Sequence, residues 1–279
     1  MVTIAIPIYN AEQYLRAAIQ SCINQTYQDW ELLLMCDGST DSSNAIAHEM
    51  AVLDKRIRVY DDGCNHGLIS RLNQSIYLAQ GKFYARMDAD DIMYITRIEE
   101  QVKYLEDHPE VDVVGTSIMT IDNNNNIVGS GLCSGNVSEF VHPTVMGRTV
   151  WFWNHPYSEW ALRAEDTELW IRTASNSSFH AIGKPLFFYR EFGIPTFKKY
   201  YLSQKTLLRI FYRYKEYEKS FGWFVKNSII TLGKIIIYAL FLVIGKTDVI
   251  IKLRRRRFIP KEYWLTKEDL ERCIENKKI

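Results

Sequence analysis

Three carboxylates stand within four positions, at Asp88, Asp90 and Asp91 around Ala89, directly after a stretch at 81–87 that reads as a strand leading out of a core. Like charges packed this closely raise one another's pKa unless a cation lies among them, and an all-oxygen donor set favours Mg²⁺ or Mn²⁺ over zinc. A hard cation held by one or two carboxylates keeps open positions, which phosphate oxygens commonly fill. The cluster therefore reads as a metal-diphosphate site with Asp88, Asp90 and Asp91 as the metal ligands. Thr96-Arg97-Ile98-Glu99 has the pattern of a capping box that starts a helix, so the acids are expected at the carboxyl end of a strand before a helix. Open α/β sheets bind ligands at that edge. A second acidic pair, Glu165-Asp166, opens another helical stretch, where an acid favourably opposes the macrodipole.

From residue 2 to about 118, short apolar runs alternate with amphipathic stretches, the pattern of βαβ units and a mostly parallel sheet. Strands are expected at Val2 to Pro7, Glu31 to Cys36, Ile57 to Tyr60 and 81–87. Asn10 reads as the cap of a helix that carries Tyr14, Leu15, Ala18, Ile19, Cys22 and Ile23 at helical spacing. Further on, a strand is expected at Val111 to Ile118, a polar hairpin turn at Asp122 to Asn126, and a strand at Phe140 to Met146. Trp151 through Trp160 reads as an aromatic loop, Glu165 to Thr173 as a short helix, and Phe179 to Ile182 and Pro185 to Tyr189 as strands.

Composition sets the bounds. The 279 residues are 47% hydrophobic, enough for one sizeable core with an appendage or for two small domains. Lys and Arg total 34 against 33 Asp and Glu, so no excess of charge points to nucleic acid. The five cysteines are widely spaced and never form C-x-x-C, which argues against a disulfide framework and a zinc ribbon and for a reducing compartment. The apolar run at Val2 to Pro7 is too short for a signal peptide, so the catalytic part is expected in the cytoplasm.

Four segments in order, VTIAIPIYN from Val2, QTYQDWELLLMCDGSTDSS from Gln25, NHGLISRLNQSIYLAQGKFYARMDADD from Asn65 and RAEDTELWIR from Arg163, resemble the family 2 glycosyltransferases of the GT-A fold. The likeness covers most of residues 1–195. It implies a GT-A catalytic domain over 1–195, with a nucleotide-binding half at 1–118 and an acceptor half at 119–195, followed by a helical extension over 196–279. It further implies an inverting hexosyltransferase that uses Mn²⁺ or Mg²⁺. By the resemblance, Pro7, Tyr9 and Asn10 line the nucleotide pocket and Asp37 accepts a hydrogen bond from uracil, whose imide N–H cytosine lacks. Asp88, Ala89 and Asp90 hold ribose and metal, and Asp91 supports sugar or metal. Where the family often has two adjacent acids before the Gly-Ser turn, this chain has Cys36 and Asp37.

Glu165-Asp166 resembles the family's acidic pair, in which the aspartate is the general base and the donor's anomeric configuration inverts. Arg71 and Arg86 are candidates for phosphate or sugar contacts, His142 for the acceptor site, and Trp151, Trp153 and Trp160 for sugar stacking. The partners implied are a nucleotide-sugar donor, most naturally a UDP-sugar, and a lipid-linked saccharide acceptor in surface polysaccharide assembly such as lipopolysaccharide or capsule.

Beyond Pro195 the composition shifts to long helices rich in Lys, Arg, Tyr and Phe. Residues 229–244 are nearly all apolar and Arg254 to Arg257 follow, a pattern that fits an interfacial helix or a marginal span on the inner face of a membrane. The competing readings are an aspartate-nucleophile phosphatase or phosphotransferase and a non-catalytic sugar-nucleotide binding protein. The acidic motif follows the fourth expected strand rather than the first, which disfavours the phosphatase, and both acidic sets are intact in type, which favours turnover. No Gly and distal Glu follow in the pattern a calcium loop needs.

Overall fold

The computed structural model describes residues 1–134, 140–191, 193, 196–215, 220–246, 249 and 259–276. The chain divides into two compact units that interleave in sequence: Met1–Pro156 with Ser178–Glu191 and Phe258–Ile279, and Tyr157–Ser177 with Phe192–Arg257.

The first unit is built on a parallel block, Val2–Ile8 (β1), Trp30–Cys36 (β2), Ile57–Tyr60 (β3) and Phe83–Arg86 (β4), in the order β3-β2-β1-β4. β1 and β2 are covered on both faces, which is why they read as near-continuous apolar runs rather than as alternating ones, broken by Thr3 and Glu31, which hydrogen-bond to each other. Leu15–Ile23 (α1), Ser43–Leu53 (α2) and Leu68–Leu78 (α3) are the crossovers. The first two crossovers step outward from β1, and the third returns to its other side. This reversal opens a crevice at the carboxyl ends of β1 and β4, the position where open α/β sheets take ligands.

The second half of the sheet mixes directions. Ile92–Met93 (β5), Val113–Ile121 (β6), Ile127–Gly131 (β7), Met146–Arg148 (β8) and Phe179–Arg190 (β9) extend the order to β4-β8-β6-β9-β5, with β7 hydrogen-bonded to β6. β8 runs antiparallel to β4 and β6, whereas β9 runs parallel to β6. The two strands expected at 179–189 are one strand, interrupted by register shifts opposite Ser117. The expected Asp122–Asn126 hairpin turn is present, closed by Asp122 N donating to Asn126 O.

Four local expectations are corrected. Arg97–Asp107 (α4) follows β5 rather than the acidic cluster directly, and no capping box forms: the Thr96 hydroxyl donates to Glu100, and Glu99 accepts from Thr26. Asn10 caps no helix; α1 starts at Leu15, and Asn10 Oδ1 accepts from Thr40 N instead. His142–Thr144 is a 3₁₀ turn, because Pro143 lacks the donor a ladder needs, and only Met146–Arg148 continues as a strand. Thr149–Asn154 (α5) is helical where an aromatic loop was expected, with Trp151 and Phe152 buried.

In the second unit, Glu165–Thr173 (α6) packs with Phe197–Tyr214 (α7) through Ala164, Ile171, Leu207, Ile210 and Phe211. Phe221–Ile244 (α8) follows. The last helix, Lys267–Ile274 (α9), belongs to the first unit: Leu270 and Cys273 pack on Ile92, Met119 and Phe188, and Asn24 donates to the carbonyls of Cys273 and Glu275. The region after residue 195 is therefore not one body, since 259–276 return to the sheet.

Candidate functional site

The crevice begins where β1 and β4 part. Their pairing ends at Ala5 with Arg86, and Met87 N donates the next bond to Ala5 O. Pro7 lies beyond that point, paired only with Met35 of β2, so its missing N–H costs the sheet no bond on the β4 side. Tyr9 follows in the open, 55% exposed. Asn10 takes φ 49°, a left-handed conformation that asparagine tolerates better than most residues, and holds the start of the next turn through Thr40. Pro7, Tyr9 and Asn10 thus lie at and just beyond the carboxyl end of β1.

Asp37 is the hub of the neighbouring turn. Its Oδ1 accepts from His66 N at 2.7 Å, from Gly67 N at 3.1 Å and from Arg71 Nε at 3.1 Å, while Oδ2 shares only the Gly67 N–H. A carboxylate offers about four lone-pair sites, so Oδ2 retains capacity for one more donor. Gly38 is required beside it: at φ +66° a Cβ would lie 2.8 Å from Asn65 N.

Arg71, 1% exposed, spends its donors inside this turn. Nε donates to Asp37, Nη1 to Asp62 and Gln74, and Nη2 to Asp62 and the Cys64 carbonyl. A guanidinium has five N–H bonds, so none is left for a phosphate, and Arg71 is corrected from a ligand contact to a positioning residue for Asp37. The same ion pair holds the Asp62 carboxyl far below the usual carboxylate range.

The acids follow β4, the strand that pairs with β1. Ligand atoms of Asp88, Asp90 and Asp91 lie within 4.8 Å of one another. Asp88 Oδ1 accepts from Arg86 Nη2 at 2.6 Å, and Asp91 Oδ1 accepts from Arg190 N at 2.7 Å. Asp91 Oδ2 is buried and accepts no hydrogen bond. Burial, reinforced by the Asp88 charge, pushes Asp90 up to about 6, and burial with the charges of Asp90 and Asp88 raises Asp91 well above the carboxylate range. The site is thus short of positive charge and carries an orphaned oxygen, and its donors are hard oxygens. These residues fit a divalent Mg²⁺ or Mn²⁺ ion. Backbone Ala89 separates the first two ligands and is itself buried.

Arg190 was not singled out from the sequence, yet it braces the cluster. Its Nε donates to Asp90 O, Nη1 to Asp122 O and Nη2 to Asn125 Oδ1, and its guanidinium lies 4.2 Å from the Tyr14 ring centroid. Tyr189, next to it, has its phenol raised first by burial and then by the three aspartates. The only local signal was an arginine closing an apolar strand; the contact depends on β9 ending beside β5, which is tertiary.

In the second unit, Glu165 and Asp166 open α6, as expected. Glu165 is buried, and Asp166 is half-buried with Oδ1 accepting from Thr167 N at 2.6 Å. Arg163, two residues earlier, takes φ 64°, uncommon for a long side chain, with its carbonyl accepting from Ser203. One turn on, the fully buried Glu168 accepts from Arg172 and Tyr214, which anchors the helix.

Of the weaker candidates, His142 is buried and held neutral, its pKa lowered by burial and by the Arg86 charge. Trp151 is a core residue packed on Phe152 and His155. Trp153 is half exposed with Nε1 donating to Ile76 O, and Trp160 lies under Arg209 and Arg213. Arg254 to Arg257 lie outside the described residues.

A parallel α/β block that carries an acidic turn at its switch point is the architecture of a nucleotide-binding transferase domain. The family model "Glycosyl transferase family 2" matches residues 3–180, and the chain belongs to that family. An uncharacterized glycosyltransferase of Haemophilus influenzae is 38% identical over 138 residues, which cover 49% of this chain and 43% of that protein. The chain therefore matches less than half the length of that relative. Among solved structures, S. aureus TarS in complex with UDP-GlcNAc superimposes with a TM-score of 0.65 at 17% identity, over 83% of this chain and 71% of that one. The mannosyltransferase PcManGT of Pyrobaculum calidifontis, in complex with GDP-Man and Mn²⁺, gives 0.59 at 15% identity, over 98% and 85%. These likenesses establish the GT-A fold, a mixed α/β sheet flanked by helices.

Proposed function

We propose that the chain transfers a sugar from a UDP-sugar to a hydroxyl of a lipid-linked saccharide with inversion, using Mn²⁺ or Mg²⁺ held by Asp88, Asp90 and Asp91. The observation that carries this reading is the charge-starved trio beside the β1–β4 crevice, with Asp91 Oδ2 orphaned and Asp90 raised to about 6. The ligands bound by the two structural neighbours, UDP-GlcNAc in one and GDP-Man with Mn²⁺ in the other, support a nucleoside diphosphate sugar and a divalent ion. When bound, such an ion supplies positive charge to the departing diphosphate.

The chain's own residues do the rest. Pro7, Tyr9 and Asn10 shape the base pocket, and Asp37 Oδ2 accepts the uracil imide N–H, fixed in place by Arg71 and the Gly67 N–H. Arg190, with the Asp91 N–H donating to the Asp88 carbonyl across Ala89, holds the acidic turn in shape. By resemblance to the family's acidic pair, Asp166 takes the proton of the attacking hydroxyl, and Glu165 beside it shapes the acceptor side. The apolar, cation-flanked helix α8 brings the enzyme to a membrane that carries its acceptor, on the cytoplasmic face where nucleotide sugars are found.

Calorimetry of the full chain with Mn²⁺ and a panel of UDP, GDP and dTDP tests the site. UDP binding that needs Mn²⁺, and is lost in Asp90→Asn, supports the reading. Equal affinity for all three nucleotides with and without metal overturns it. UDP release that depends on a lipid diphosphate saccharide then separates transfer from binding alone.

A further inference from the structure

The helix α8 is long enough to cross a bilayer: its 24 residues span about 36 Å against a hydrocarbon layer of about 30 Å. The packing of α8 on α7 decides between crossing and lying flat. Phe197 and Tyr200, at the start of α7, pack on Tyr238 near the end of α8, whereas Phe211 and Tyr212, at the end of α7, pack on Trp223 and Phe224 at the start of α8. The two helices are therefore an antiparallel hairpin, and about 22 Å of α8 runs alongside α7. The helix α7 carries Lys198, Lys199, Lys205, Arg209 and Arg213 and no acid, and all five are exposed. A transmembrane α8 would draw these cations into hydrocarbon with no carboxylate from either helix to pair with them.

The faces of α8 fit another placement. Phe221, Val225, Ile229, Ile236, Leu240 and Val243 share one side at helical spacing, all exposed, Val243 to 86%, and the exposed Ile230, Ile237 and Ile244 carry the apolar surface round to the side of Lys226. Thr231 and Tyr238, the buried positions of the helix, lie on the opposite side. The two charges of α8, Lys226 and Lys234, lie outside the Phe221–Val243 stripe but beside Ile230 and Ile237, where long side chains reach headgroups while their stems stay in apolar surroundings.

We infer that the α7–α8 hairpin lies in the plane of an anionic membrane leaflet, with the apolar stripe of α8 immersed, and does not cross. The cations of the hairpin favour an acidic lipid surface over a second copy of the chain, whose equivalent surface would meet them with the same sign. This inference rests on the membrane contact proposed above, and the test separates the two.

The test is made in a bacterial host with the full chain. Cys64 is the exposed cysteine among the described residues, so Cys64→Ser is the background, into which Ser220→Cys and Lys246→Cys are introduced one at a time to flank α8. A membrane-impermeant maleimide should label both positions in inverted inner-membrane vesicles and neither in intact spheroplasts. Labelling of one position from each side means a crossing and overturns the inference while leaving membrane contact standing. Recovery of the protein in the soluble fraction, as a monomer or as a dimer, overturns both. As a folding-independent check, Ile229→Glu with Ile236→Glu should release at least about tenfold more protein from the membrane, as expected for charges placed in an immersed face. Retained UDP affinity would show that the first unit is intact, and a membrane-bound fraction unchanged by this double variant also overturns the inference.

Discussion

Arg71 Nε lies 3.1 Å from Asp37 Oδ1, and both side chains are buried, so the carboxylate proposed to read the base is held by a cation that touches no ligand. Removing one member of a buried ion pair costs about 3–5 kcal/mol because the other charge is left uncompensated. Arg71→Met should therefore lower Tm by about 10 °C or more and weaken UDP binding at least about tenfold. Arg71→Lys keeps the charge but loses the fork that reaches Asp37 and Asp62 together, so it should recover part of the stability and little of the affinity. Calorimetry and thermal melts check this. Wild-type UDP affinity in a folded Arg71→Met protein would show that Asp37 needs no such support.

The acidic trio should make the metal-free protein less stable as pH rises. Asp90 titrates at about 6 in the fold against an ordinary value of 3.8, so the folded state holds this proton more tightly than the unfolded chain. The stability it contributes is complete below about 4 and is lost as pH climbs through about 6. Asp91, raised in the same direction, adds to the effect. Because a cation binds the ionised carboxylates, the rise in Tm on adding Mn²⁺ should be larger at pH 7.5 than at pH 5. A Tm increment that does not depend on pH would place the metal elsewhere.

The parts of this design that could be read from the sequence are those set by local chemistry. β1 and β2 announce themselves because a doubly covered parallel strand must be largely apolar, and the Asp122 turn because Asn and Asp close such turns. Asp88, Asp90 and Asp91 come together simply because they are adjacent. What the sequence hid was decided by competition between partners. The Thr96 hydroxyl can cap a helix, but Glu100 takes it; Asn10 can cap a helix, but Thr40 takes its oxygen. Around Pro143, burial of His142 and Thr144 resembles a strand in pattern while the missing N–H forbids one. Arg190 and Arg71 acquire their meaning only from distant segments, Asp90 being 100 positions from one and Asp37 being 34 from the other.

Asp166 provides a test of the acceptor side. Asp166→Asn preserves size and the acceptor oxygen that the Thr167 N–H uses, so α6 should stay formed. Losing a positioned general base typically costs about 10²–10⁴ in rate. The variant should therefore show kcat reduced by that factor with Kd for UDP unchanged. Glu165→Gln should cost less if Glu165 shapes the acceptor side rather than taking the proton. A near wild-type kcat in Asp166→Asn would assign the proton transfer to another group.

Gly38 separates backbone geometry from side-chain chemistry at the base pocket. At φ +66°, with a Cβ predicted 2.8 Å from Asn65 N and 2.9 Å from the Cys64 carbonyl carbon, any side chain must push the 61–67 loop away from the end of β2. That loop supplies the His66 and Gly67 N–H groups that fix Asp37. Gly38→Ala adds both left-handed strain of about 1–2 kcal/mol and a backbone collision, and backbone cannot rotate out of the way as a side chain can. The expected result is a Tm loss of several degrees, with UDP affinity falling by more than the affinity for Mn²⁺ alone, because the acidic turn after β4 is held by its own bonds to Arg86 and Arg190. Equal losses of nucleotide and metal binding would mean that Gly38→Ala disturbs the sheet as a whole and that the loop is no independent support for Asp37.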